Sequence, residues 1–151
     1  MSNNFAHTIL CVVPLFCATA CTTAPASRGT PHASPVNSTE QIALDVVARR
    51  AAAYNAHDIE AFLATYDDDV RVFEYPQELL GDGRERMRGI FGPQFAGDEG
   101  RIIIHSQHAL GNVVISDETV TIYGHTEHNI GIYTVRDGLI SEVRLIEPED
   151  L

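Results

Sequence analysis

From Arg101 to Ile146 the chain is an almost unbroken succession of strand-forming runs, and this half decides what the rest can be. Arg101–Leu110, Val113–Ser116, Val120–His128, Ile130–Val135 and Leu139–Ile146 are rich in β-branched and aromatic residues and alternate in polarity. The turn signal Arg136-Asp137-Gly138 separates the last two, so an antiparallel meander is expected. A sheet with one apolar face must bury it, and the cover has to come from the residues before 101.

Those residues read as three helices and a strand. Ser38-x-x-Gln41, or Asn37-x-x-Glu40, is a capping box. Behind it Ile42, Val46, Val47, Ala53 and Tyr54 gather on one arc of a helix running to about Ala56. Arg50 falls inside that arc, either as a snorkelling side chain or as an inward cation with an acidic partner. Asp58 then caps a short helix with Ile59, Phe62, Leu63 and Tyr66 at helical spacing. Asp67-Asp68-Asp69 breaks the pattern. Val70–Tyr75 alternates as a strand, with Val70, Val72 and Glu74 on one face and Arg71, Phe73 and Tyr75 on the other. Asp82-x-x-Glu85 opens a third helix with Met87, Ile90 and Phe91 inward, stopped by Gly92-Pro93. The whole is an α+β domain with room for one core and for a pocket between sheet and helices.

Composition excludes several kinds of chemistry. All ten basic residues are arginine, which removes a Schiff-base amine and a P-loop lysine. The three cysteines, Cys11, Cys17 and Cys21, leave the later residues without a thiol nucleophile or thiolate metal site. A formal charge of −11 argues against nucleic acid as a partner. There is no Gly-x-Ser-x-Gly elbow, and Gly81-Asp82-Gly83 lacks the third glycine of a dinucleotide motif. No cofactor is expected.

The beginning of the chain carries an address. Residues 1–20 hold no charged side chain, and Thr8–Cys17 is apolar but interrupted by Pro14. Ala18-Thr19-Ala20-Cys21 resembles a bacterial lipoprotein signal, which implies cleavage before a lipidated Cys21 and a cell-envelope location facing the periplasm; plain secretion is the alternative. Thr22–Ser38, with three prolines and six Ser or Thr, reads as a tether. The expected organisation is a signal at 1–20, lipidated Cys21 and tether at 21–38, a folded domain at 39–147 and an acidic tail at 148–151.

Four stretches carry a further resemblance: Tyr54-Asn55-Ala56-His57-Asp58-Ile59-Glu60-Ala61-Phe62-Leu63, Tyr66-x-Asp68-Asp69-Val70, Leu80-Gly81-x-Gly83-Arg84-Glu85, and Tyr133-x-Val135-Arg136-Asp137-Gly138-Leu139-Ile140. Together with the order of elements, they resemble the SnoaL-like group of the nuclear transport factor 2-like superfamily over about residues 39–146. The resemblance implies a cone-like fold, a curved antiparallel sheet wrapped by helices around a pocket. It does not imply one activity, since such folds serve isomerases, cyclases, hydrolases, binders and dimerisation modules. Alignment with the superfamily's ketosteroid isomerases puts Glu74 at their general base, Arg50 at their oxyanion-hole tyrosine and Gly131 near their protonated aspartate. Only the base is kept in kind, and a lone carboxylate cannot both take a proton and stabilise an enolate.

The comparison brings Arg50 and Glu74 to one cavity, where they are expected to pair. Candidate pocket residues are Arg50, Tyr54, His105, Tyr123 and His125, with Glu74 as the candidate catalytic base. His105-x-x-His108 and His125-x-x-His128 look like chelating pairs, but residues three apart on a strand point to opposite faces, so no metal is expected. Two functions follow: an envelope-anchored module that binds a small apolar molecule or forms a homodimer through its sheet, or a cofactor-free isomerase, hydratase or hydrolase using Glu74.

Overall fold

The computed structural model describes residues 38–97 and 100–147. The signal, Cys21, nearly all of the tether and the acidic tail lie outside them. Helix α1 (Ser38–Asn55) is followed by the short α2 (Ile59–Leu63), strands β1 (Tyr66–Glu74) and β2 (Glu78–Asp82), and helix α3 (Arg84–Phe95). Strands β3 (Arg101–Leu110), β4 (Val113–Ile122), β5 (His125–Arg136) and β6 (Leu139–Ile146) complete an α+β fold. Among the described residues no helix is long and apolar enough to cross a membrane.

The six strands form one curved sheet in the order β2-β1-β6-β5-β4-β3. It is mixed rather than wholly antiparallel: β1 runs parallel to β6, and every other pair is antiparallel. The parallel pair joins the first strand to the last, a long-range contact that local periodicity cannot announce. Three other expectations change. β2 is too short to show alternation and forms by pairing with β1. Asp82 ends that strand, so Gly83 at φ 82° caps α3 with no side-chain bond, and Pro93 lies inside the helix rather than ending it. The break expected at 117–119 is absent, since β4 runs through it, and the run expected at Val120–His128 is instead divided by a turn at Tyr123-Gly124, φ 50° and 78°, with its second half in β5.

The inner face of the sheet packs under the helices. Alternation places Val114, Ser116 and Glu118 of β4, and Asn129, Gly131, Tyr133 and Val135 of β5, on that buried face. Helix α1 buries Ala43, Val46, Val47, Arg50, Ala51, Ala53 and Tyr54 against it. Ile42, expected inside, is half exposed. Phe62 of α2 sits among four rings, Tyr54, Tyr66, Phe91 and Phe95, at centroid distances of 5.1 to 5.8 Å. Tilted and edge-on contacts of this kind add to plain burial. Asp58 caps α2 as expected, accepting from the Ala61 amide at 2.9 Å.

Candidate functional site: a closed polar cluster under the sheet

Arg50 reaches the sheet because it lies on the same arc of α1 as Val46, Val47 and Tyr54. Its Nη1 donates to both oxygens of Glu118, at 3.1 and 3.3 Å, and its Nε donates to the Tyr66 hydroxyl at 2.9 Å. Its guanidinium stacks 4.8 Å from the centre of the Tyr133 ring. The Tyr133 hydroxyl donates to both oxygens of Glu118 at 3.1 Å. Four side chains from α1, β1, β4 and β5 thus meet in one cluster. Arg50 is 6% exposed and Glu118, Tyr66 and Tyr133 are 0 to 1% exposed.

Gly131 makes the cluster possible. A Cβ there would lie 2.5 Å from the Tyr133 hydroxyl oxygen and 2.6 to 2.7 Å from ring carbons. The Tyr133 ring therefore lies back along its own strand over a residue with no side chain, which brings its hydroxyl opposite Glu118.

The electrostatics follow from burial. Loss of water works against the Arg50 charge, but Tyr133, Tyr66 and Glu118 together hold its pKa well above the usual arginine range. At neutral pH both tyrosines are un-ionised, so the net attraction is that of the Glu118 carboxylate. Burial drives the Tyr133 hydroxyl well above the ordinary tyrosine value; Arg50 opposes the rise and Glu118 reinforces it. Burial raises Tyr66 too, against the pull of Arg50. At the edge of this group Tyr54 is also raised by burial and donates to Gln94 Oε1 at 3.1 Å.

The expected partner of Arg50 is therefore replaced: its carboxylate is Glu118, not Glu74. Glu74 ends β1, half-buried, and among the described residues it forms no ion pair. It lines a cleft of about 170 Å³ with Phe73, Tyr75, Pro76, Ile132, Arg144 and Ile146, and no histidine is among them. Glu118 went unread because Asp117-Glu118 looked like a break between strands. The alternation Val114, Ser116, Glu118, Val120 was the signal that could have found it.

The other candidates divide. Tyr54 is buried beside Arg50. His105 is not in the pocket: it occupies an irregularity between Ile104 and Ser106, is exposed, and its Nε2 lies 2.7 Å from Thr119 Oγ1. Thr119 neighbours Glu118 and so faces the opposite side of the sheet. There the ring of His105 meets His128, which contacts Asp117. Tyr123 and His125 are exposed on the β4–β5 hairpin. No group of three or more His, Cys, Asp or Glu among the described residues is placed to hold a metal ion. A groove of about 560 Å³ along the exposed side of α1 and α2 is lined mostly by alanines and includes none of these candidates.

A SnoaL-like domain model matches residues 47–143, more than half of the chain. The chain belongs to the SnoaL-like family, and its fold is that of NTF2-like proteins. No curated protein matches it. Solved structures share the fold at low identity. An NTF2-like protein of unknown function from Cytophaga hutchinsonii is 18% identical, with a TM-score of 0.61, over 68% of this chain and 87% of that one. An LEH-like epoxide hydrolase from M. tuberculosis is 19% identical, with a TM-score of 0.62, over 73% and 85%. A de novo designed protein with a curved β-sheet is 21% identical, with a TM-score of 0.59, over 72% and 88%. A designed protein fitting nearly as well as an enzyme places the likeness in the fold alone.

Proposed function

We propose that this SnoaL-like domain is a binding module for a small, largely apolar molecule, held under the inner face of its sheet and carried at the cell envelope through Cys21. The observation that supports it most is the self-closure of the Arg50–Glu118–Tyr133–Tyr66 cluster. Proton abstraction needs a base facing the substrate and donors aimed at the developing oxyanion. Here the Glu118 carboxylate is held by Arg50 and Tyr133, and both donate inward. Beside the cluster, Phe91, Phe95, Ile104, Val120 and Leu145 are only partly buried, which leaves apolar surface for a ligand.

The test is titration of the full-length protein with the neutral apolar dye Nile red. Saturable one-to-one fluorescence that an Ile104→Arg variant loses is expected; non-saturable binding would overturn the reading. Fractionation tests the address: Cys21→Ser should move the protein from the detergent phase to the soluble envelope fraction, and identical partitioning would refute the anchor. The enzymatic alternative, with Glu74 as base, expects Arg50, His105, Tyr123 or His125 as its polar partner, and none of these lines the Glu74 cleft.

A second reading has its own support. Ile103 and Ile115, on the outer face, are each 47% exposed, and exposed apolar side chains on an open sheet face suit a homodimer. Light scattering should then give a dimer mass that falls to monomer in Ile115→Arg.

A further inference from the structure

The same inner face carries one polar group that the cluster does not use. Asn129 is directly opposite Glu118 in the β4–β5 ladder and, two residues from Gly131, shares its face. It is 9% exposed, and its Oδ1 is buried with no hydrogen-bond partner. A buried amide oxygen without a partner is costly, and folded proteins rarely keep one without a use.

What lies around it defines what would fit. Across the ladder, the carboxylate oxygens of Glu118 are taken by Arg50 and Tyr133, and the Tyr133 proton is committed to Glu118. None of these bonds reaches Asn129 Oδ1, which is left without a donor. The Tyr133 ring passes over Gly131, between Asn129 and its own backbone, which brings the hydroxyl oxygen toward the amide. Around them on the inner face stand Ile104, opposite Glu118, Val120, two residues on, and Leu145, opposite Gly131; all three are partly buried. An unpaired acceptor inside an apolar wall selects a donor and disfavours an anion.

We propose that Asn129 is the specificity residue of this site, and that its ligand is an apolar molecule with a neutral hydrogen-bond-donating head, a hydroxyl or an amide N–H. The donor hydrogen binds Asn129 Oδ1, and the hydrocarbon body lies against Ile104, Val120 and Leu145. This rests on the binding function proposed above and adds the chemistry of the ligand. An unbranched carboxylate of the same length is rejected, because its oxygens would face Asn129 Oδ1 and Glu118.

The experiment is displacement of Nile red from the full-length protein by three probes of similar length: octanol, methyl heptyl ether and octanoate. Octanol should displace about three- to tenfold better than the ether, the range of one net hydrogen bond. Octanoate should be the poorest. Asn129→Leu should bind the dye, lose the preference for octanol, and melt at the same temperature or higher, since it removes an unpaired buried group. Asn129→Ser, which keeps an acceptor, should retain part of the preference. Equal displacement by octanol and ether would overturn the proposal while leaving the binding function standing. So would a lower melting temperature for Asn129→Leu with the preference intact, since Oδ1 would then serve the fold through an ordered water. If the dye does not bind at all, the binding function itself falls and takes this inference with it.

Discussion

Two arginine–carboxylate pairs in this domain are built alike and placed oppositely. Under the sheet, Arg50 stacks 4.8 Å from the Tyr133 ring centre and bonds Glu118 at 3.1 Å. On the outer face, Arg144 stacks 4.8 Å from the Phe73 ring centre and bonds Glu142 at 3.0 Å. The distances are nearly the same, but the solvent is not. The Arg50 and Glu118 side chains are 7% and 0% exposed; those of Arg144 and Glu142 are 40% and 21% exposed. Geometry alone therefore says little about what a pair contributes. Desolvation decides it, because a buried charge left unpaired costs far more than an exposed one.

The largest effect should come from breaking the inner pair on one side. Arg50→Met leaves the buried Glu118 carboxyl without its cation partner and should cost about 3–5 kcal/mol in denaturant unfolding. Glu118→Leu strands Arg50 and should cost a similar amount. The double variant should recover much of either loss, because two apolar side chains of suitable volume replace a pair that gained little net energy. Near-additive losses would mean that the two side chains do not act as a unit.

A smaller effect should follow at the position that admits the cluster. Gly131→Ala puts a methyl group against the Tyr133 ring, which is fully buried and cannot turn away freely. Overpacking of this kind costs about 1–3 kcal/mol. Gly131→Ala combined with Tyr133→Leu should relieve the clash, leaving roughly the cost of Tyr133→Leu alone. An exposed glycine of α3 with open space around it, Gly89, should accept alanine without loss.

The pH response sharpens the contrast between the faces. Tyr133 and Tyr66 have pKa values raised by burial, so the folded state keeps protons that the unfolded state loses first. Their neutral forms contribute fully below the ordinary tyrosine value, about 10, and that contribution is lost as pH rises above it toward the folded values. Unfolding free energy should therefore fall on the alkaline side of about pH 10. Tyr133→Phe should make that decline shallower. A wild-type protein whose buried tyrosines ionise without loss of circular dichroism would contradict the closed cluster.

Legibility in the sequence follows the same division. Helical periodicity turned Arg50 inward, and alternation placed Val70 and Val72 inside, because both signals are local and the apolar face is regular. The partner of Arg50 was not legible: Glu118 is 68 positions away and the pairing depends on how β4 crosses the sheet. Reading 117–119 as a break removed Glu118 from the strand, and alignment offered Glu74 in its place. His105 failed for a simpler reason: alternation from inward Ile102 and Ile104 already points it to the outer face, and the irregularity after Ile104 turns only the later side chains. The parallel β1–β6 contact and the five-residue β2 exist only once the sheet has assembled.

The smallest expected effect lies at the outer pair. Glu142 accepts from Arg144 Nε at 3.0 Å and from Arg71 Nη2 at 3.0 Å, so two partly solvated arginines share one carboxylate. Both guanidinium groups also lie over the Phe73 ring, Arg144 at 4.8 Å and Arg71 at 5.5 Å. An exposed pair contributes about 0–1 kcal/mol, less as salt rises, and loss of one arginine leaves Glu142 the other. Arg144→Met should therefore cost less than about 1 kcal/mol, with a coupling to Glu142→Gln that shrinks in high salt. The inner double cycle at Arg50 and Glu118 should change little over the same salt range, because ions screen a buried pair far less than an exposed one. If the outer coupling matched the inner one in size and in salt response, then solvent would not be what separates the two faces. Phe73 would be the next place to look: with the ring removed by Phe73→Ala, any stacking share of the outer coupling disappears while the ion pair stays in reach.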